Sequence, residues 1–187
     1  MNRLSVLLVG LSILAVGCEN SSSPLTGSSQ GTTTTSTFTV PLSPANEVPA
    51  ITNADASGSG TATIALTVTK DDSGTITSAT ANFQITVTGF PAGTVVTDAH
   101  IHNGAPGVNA SIYVNTGLAS GELTLTNGGG SMTKNGINVP SDRAAAILSN
   151  PAGHYFNVHT LLNAAGAIRG QLAGGGATLD PGTPVPY

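Results

Sequence analysis

Residues 58–69, GSGTATIALTVT, and residues 75–90, TITSATANFQITVTGF, decide the fold class. In the first, Ala62, Ile64, Leu66 and Val68 fall on one parity with Thr and Ala between them; in the second, Ala79, Ala81, Phe83, Ile85 and Val87 do the same. A period of two is the mark of a strand with one buried face. The KDDSGT between them, at 70–75, joins acidic side chains that bond their own backbone to a glycine that turns freely, so the two strands form a hairpin. Working outward, TFTVPL (37–42) opens the domain, NEVPAI (46–51) reads as a turn, and FPAGTVVTDAHIHN (90–103), VNASIYVN (108–115), GELTLTN (121–127), YFNVHT (155–160) and GAIRGQL (166–172) follow as strand candidates between turn signals. This spacing predicts an all-β fold, an immunoglobulin-like antiparallel β-sandwich or a related barrel. One short helix is expected after Pro140, with Ser141 as N-cap, Asp142 in its first turn, 144–148 as its body and Asn150-Pro151 as its stop.

Location is written at the ends. Residues 1–17 carry Arg3 and an apolar run over 4–16, the pattern of a secretory signal, and the run is short for a membrane span. LAVGC (14–18) resembles the lipobox of bacterial lipoproteins and contains the only cysteine of the chain, so Cys18 is the expected lipidation site. Residues 18–37, rich in Ser and Thr, read as a flexible tether from that lipid to a domain at 38–173, and 174–187 as a Gly/Pro-rich tail. The expected setting is the bacterial cell envelope, outside the cytoplasm and held to a membrane through Cys18. Only 7% of residues are charged and the net charge is −4, so a basic footprint for nucleic acid is lacking. No tryptophan is present, which weighs against a stacking platform for sugars. With a lone cysteine, stability must come from strand pairing and the apolar layer.

The chemistry concentrates on the histidines. In DAHIHNGAPG (98–107), strand alternation puts Asp98, His100 and His102 on one face, with Ala99 and Ile101 on the other. In YFNVHT, Tyr155, Asn157 and His159 share the polar parity, and GAIRGQL adds Arg169 and Gln171. Two imidazoles on one strand face and a third from a neighbouring strand suit Cu or Zn, for which neutral imidazole is a good ligand. The candidate set is His100, His102 and His159, with Asp98 as a further ligand or as the acceptor that fixes a ring tautomer. His154 has the opposite parity. The competing reading is a polar network in which Asn157, Arg169 and Glu47 join the histidines to lock the sandwich edge, Glu47 accepting from Arg169. The two differ at the ring nitrogens: an architectural network has each of them bonded to protein, and a metal site does not. A GxSxG elbow is absent, and the Gly-rich runs lack the strand-to-helix setting of a phosphate loop.

LSPANEVPA (42–50), HIHNGAPG (100–107), NVHT (157–160) and GAIRGQL (166–172) together resemble the CHRD domain, the module named for chordin and found in bacterial secreted proteins. The resemblance runs from about Phe38 to about Ala173 and implies an extracellular β-rich module. Two functions are expected from this reading. One is a non-enzymatic binding module for an envelope or extracellular protein; the alternative is Cu or Zn binding at the HxH…H cluster for metal capture or redox defence.

Overall fold

The computed structural model describes residues 31–172 and 176–179. The leader, Cys18 and the ends of the tail lie outside these residues. The chain is a two-layer antiparallel β-sandwich with one short helix, so the sandwich rather than the barrel is the architecture. The first sheet comprises β1 (Thr32–Leu42), β2 (Ser59–Lys70), β3 (Ile76–Thr88), β7 (Gly130–Asn138) and β10 (Gly176–Leu179), in the order β10-β1-β2-β3-β7. The second comprises β4 (Thr94–His102), β5 (Ile112–Asn115), β6 (Leu123–Leu125), β8 (Tyr155–Thr160) and β9 (Ile168–Gln171), in the order β5-β4-β8-β9, with β6 pairing to β4.

The alternation in β2 and β3 does what the pattern demands. Ala62, Ile64, Leu66 and Val68, and Ala79, Ala81, Phe83, Ile85 and Val87, are all buried, while the threonines between them face outward. Across the sandwich, Phe83 meets Phe156 with ring centroids 5.9 Å apart, and Ile101 and Ile168 complete the inner face of the second sheet. At one corner the chain leaving β1 bridges the sheets, because Ser43 and Arg169 exchange backbone hydrogen bonds of 3.1 and 3.2 Å. Helix α1 (Ser141–Ser149) buries Ala144 and Ile147 and packs on β3.

Three boundaries differ from expectation. The strand β1 starts at Thr32, so the last six residues assigned to the tether are sheet; they pair with β2 through to Lys70, and Thr33 and Thr35 bond the hydroxyls of Thr69 and Thr67 at 3.1 and 2.8 Å. A threonine run reads as linker by composition, but β-branched residues opposite β-branched residues suit a pleated surface. The tail in turn contributes β10, paired with Thr34–Thr37. In the helix, Pro140 rather than Ser141 holds the N-cap position: its carbonyl accepts the first intrahelical bond from Ala144 at 2.9 Å, and no side chain caps.

Candidate metal centre

The site is built on the outer face of the second sheet, the face away from the hydrophobic layer. Antiparallel register places Asp98 opposite His159, His100 opposite Asn157 and His102 opposite Tyr155 across β4 and β8, and Asn157 opposite Arg169 across β8 and β9. All the polar-parity residues singled out in the sequence therefore meet on one surface. That surface is not open to solvent: every residue of β8 is buried, on both faces. Three loops, 43–53, 103–111 and 161–166, lie over it and supply groups to it.

His100, His102 and His159 are 3%, 6% and 7% exposed, and one nitrogen from each lies within 4.8 Å of the others. The rings meet edge-on, His100 at 5.4 Å from His102 and 4.7 Å from His159 between centroids. His102 Nδ1 lies 2.9 Å from the carbonyl of Ala110, and His159 Nδ1 lies 3.0 Å from that of Ala164. A carbonyl only accepts, so in both rings Nδ1 carries the proton and Nε2 presents a lone pair. Among the described residues neither Nε2 has a hydrogen-bond partner. His100 is arranged the other way round: its Nε2 lies 2.7 Å from Asp98 Oδ2, off the line of an aligned hydrogen bond, and among the described residues neither of its nitrogens has a hydrogen-bond partner. The other carboxylate oxygen, Asp98 Oδ1, accepts from the Ala99 amide at 2.8 Å. Burial pushes all three imidazoles below their ordinary pKa, in His100 against an opposing pull from Asp98 and in His102 and His159 against the carbonyl bonds. Neutral imidazole, the form that coordinates metal, is thus the favoured state.

His154 precedes β8 and stands apart, with Nδ1 2.9 Å from the Asn150 carbonyl and its ring against Tyr113. The Arg169 network is present in altered form. Arg169 Nε donates to the Asn46 carbonyl at 2.6 Å and Nη1 to Asn109 Oδ1 and the Val108 carbonyl at 3.0 and 3.3 Å, with the guanidinium 4.6 Å above the Tyr155 ring. Glu47 is not hydrogen-bonded to it; the closest approach, 3.9 Å, is an ion pair at a distance. Burial pushes the Glu47 carboxyl up to about 7, with Arg169 pulling the other way. Asn157 sits under Gly166, where an added Cβ would come within 2.5 Å of its Nδ2 and 2.9 Å of Glu47 Oε1; at φ +131° the position suits glycine on backbone grounds as well.

Three participants are not legible as site residues in the sequence. Ala110 and Ala164 act through backbone carbonyls, which no side-chain pattern reveals. Tyr155 stacks on His102 at 4.7 Å with the planes 3° apart, and its hydroxyl accepts from the amide of Ala110, whose carbonyl holds His102 Nδ1, at 3.2 Å, so one residue steadies the His102 ring twice. Its polar parity was the available signal.

No curated protein and no solved structure matches this chain. The family model of the CHRD domain matches residues 38–172, spanning every strand from within β1 to β9 and all the residues of the histidine surface. By that match and by its motifs, the chain belongs to the CHRD domain family.

Proposed function

We propose that this chain is an extracytoplasmic CHRD module, lipid-tethered to the bacterial envelope through Cys18, that captures a transition-metal ion, Cu or Zn, with His100, His102 and His159. One observation carries the reading: three buried imidazoles converge within 4.8 Å, and each retains a ring nitrogen that the protein leaves unbonded. Nitrogens sharing one ion at a bond length near 2.0–2.1 Å are separated by about 3.4 Å in tetrahedral geometry, so binding draws the rings closer by small side-chain rotations. The donor set is all imidazole, which suits Cu(II) and Zn(II) over the thiolate-seeking Cu(I). Isothermal titration of each ion into the full-length chain tests this, beside a His100→Ala, His102→Ala variant whose fold is checked by circular dichroism. One-to-one binding that disappears in a folded variant is expected; an unaltered chain that takes up neither ion would refute it.

A second reading, a non-enzymatic interaction module, is favoured by the placement of apolar side chains. Val48, Val108, Ile112, Leu161 and Leu162 are the exposed large hydrophobics among the described residues, and all lie on or beside the loops that cover the histidine face. Clustered exposure of this kind marks contact surfaces more than random scatter does. Its partner would be an envelope or extracellular protein. Cross-linking in intact cells, compared with a Leu161→Ser, Leu162→Ser variant, tests it: an unchanged adduct pattern would count against these residues.

A further inference from the structure

We infer that the ion is held through Nδ1 of His100 and Nε2 of His102 and His159, with Asp98 gripping the far side of the His100 ring and one coordination position left for a small exogenous anion. This rests on the metal reading above.

The argument is one of satisfaction. A histidine ring has two nitrogens, and when buried both need partners. In His102 and His159 the protein fills Nδ1, with the carbonyls of Ala110 and Ala164, and leaves Nε2. In His100 the assignment is reversed, because Asp98 stands two residues earlier on the same strand face and its carboxylate reaches Nε2 at 2.7 Å. Among the described residues neither His100 nitrogen makes an aligned hydrogen bond, but Nε2 has the Asp98 carboxylate beside it and Nδ1 has no such neighbour. If the ion took Nδ1 of His100 and Nε2 of the other two, every ring nitrogen of the cluster would be engaged once, three by metal and three by protein. If instead Asp98 were a fourth ligand beside Nε2 of His100, Nδ1 would stay buried and empty. The first arrangement is also the familiar one in which a carboxylate orients a metal-bound imidazole from behind.

Three protein ligands on a small ion leave a position open, the pattern of exchange-competent sites rather than closed structural ones. Tyr155 lies flat against His102 on one flank, and the loops 103–111 and 161–166 hold the other rings by their carbonyls. Asp98 alone stands at a wet edge, its side chain 32% exposed while that of His100 is 4%.

Long-range ¹⁵N–¹H spectra of the Zn(II)-loaded full-length chain with labelled histidine distinguish the two ring nitrogens directly. One Nδ1-bound and two Nε2-bound imidazoles are expected; three Nε2-bound rings would overturn the assignment. Azide titrated into the Cu(II)-loaded chain should produce a saturable one-to-one charge-transfer band, and a copper-loaded chain indifferent to azide would overturn the open position. Asp98→Asn should keep one-to-one binding and the azide response with affinity weakened about 10- to 100-fold, the usual consequence of losing a group behind a ligand; loss of stoichiometric binding would show Asp98 to be a ligand. If the unaltered chain binds neither ion, the metal reading itself falls, an outcome distinct from each of these.

Discussion

Replacing Arg169 by methionine should strip the loop cover from the site while leaving the sheets paired. The side chain is buried, and its bonds tie β9 to two loops at once: to Asn46 at 2.6 Å on one side and to Asn109 and Val108 at 3.0 and 3.3 Å on the other. Hydrogen bonds to a charged donor contribute about 1.5–3 kcal/mol each, but all three accepting residues are exposed and regain water, so each loss is discounted to about 1 kcal/mol. Methionine keeps most of the apolar contact with Tyr155 but not the cation above its ring, a further loss of about 1 kcal/mol. Glu47 loses its counter-charge, and because its carboxyl already titrates near 7 it escapes by taking a proton at small cost in neutral solution. The sum is about 3–5 kcal/mol, in the range found when one member of a buried ion pair is removed. A domain of this size has about 5–15 kcal/mol in hand, so the variant still folds. With a urea slope of about 2 kcal/mol per molar, its denaturation midpoint should drop by about 2 M. Arg169→Lys should lose nearly as much, since an ammonium cannot span acceptors on two loops. A midpoint within about 0.3 M of the parent, on that same slope, would refute the view that Arg169 binds the cover to the sheet.

Other outcomes follow from the same structure. Removing residues 1–37 should destabilise the domain relative to removal of 1–30, because the first cut deletes Thr32–Thr37 together with the Thr33–Thr69 and Thr35–Thr67 pairs and the partner of β10; at about 0.2–1 kcal/mol per cross-strand pair, calorimetry should show a melting temperature several degrees lower. Phe83→Ala opens a cavity against Phe156 and should cost about 3–5 kcal/mol by chemical denaturation, with far less from Thr80→Ala on the exposed face of the same strand. The pH dependence has two opposing parts. Glu47 is raised in the fold, from 4.5 to about 7, so its contribution is full below 4.5 and is lost as pH rises toward 7; Glu47→Gln should flatten that fall. The three site histidines are lowered from 6.5, so their contribution is present above 6.5 and is lost as pH falls below it, and the His100→Ala, His102→Ala variant should be less sensitive to acid. Metal affinity measured by titration should accordingly stay level through 6.5 and decline only at lower pH, where the folded-state imidazoles take up protons in competition with the ion.

What the sequence revealed and what it concealed divide along a physical line. Strand parity is local, so Ala62 to Val68, Ala79 to Val87, and the shared face of His100, His102 and His159 could be read directly from alternation. Pairing of β4 with β8 is not local, yet the two polar stripes had to face one way if both strands lay in one sheet. The cover over that face could not be read. It depends on Arg169 reaching Asn46 and Asn109, residues separated from it by 123 and 60 positions, and on carbonyls at Ala110 and Ala164 that any residue could supply. The polar face is interior because of that cover. The threonine run misled for the opposite reason: its side chains are polar enough for a linker and branched enough for a strand, and only the length of β2 opposite it decides.

The same strand that carries His159 also supplies the comparison that gives the unbonded nitrogens their meaning. At Thr160, one residue further, the chain builds a buried polar network whose role is architectural: Asp55 Oδ2 accepts from Thr160 Oγ1 and from Asn163 Nδ2, both at 2.6 Å, and Thr160 Oγ1 accepts from the Asn163 amide at 3.1 Å. Every polar atom named there is matched, which is what selection for stability alone produces, since each unmatched buried group costs about 1–3 kcal/mol. Among the described residues the histidine cluster beside it leaves His102 Nε2, His159 Nε2 and both nitrogens of His100 without a hydrogen bond; Glu47 Oε1, Asn157 Oδ1, Arg169 Nη2 and His154 Nε2 are also buried and unbonded, and what sets the three site rings apart is that their nitrogens converge within 4.8 Å. Were these rings only braces, leucine or phenylalanine would brace the sheet without that cost. It is the convergence of these nitrogens, on rings backed by the carbonyls of Ala110 and Ala164 and by Asp98, that supports the proposed ion, which would supply in one bond each what the protein withholds.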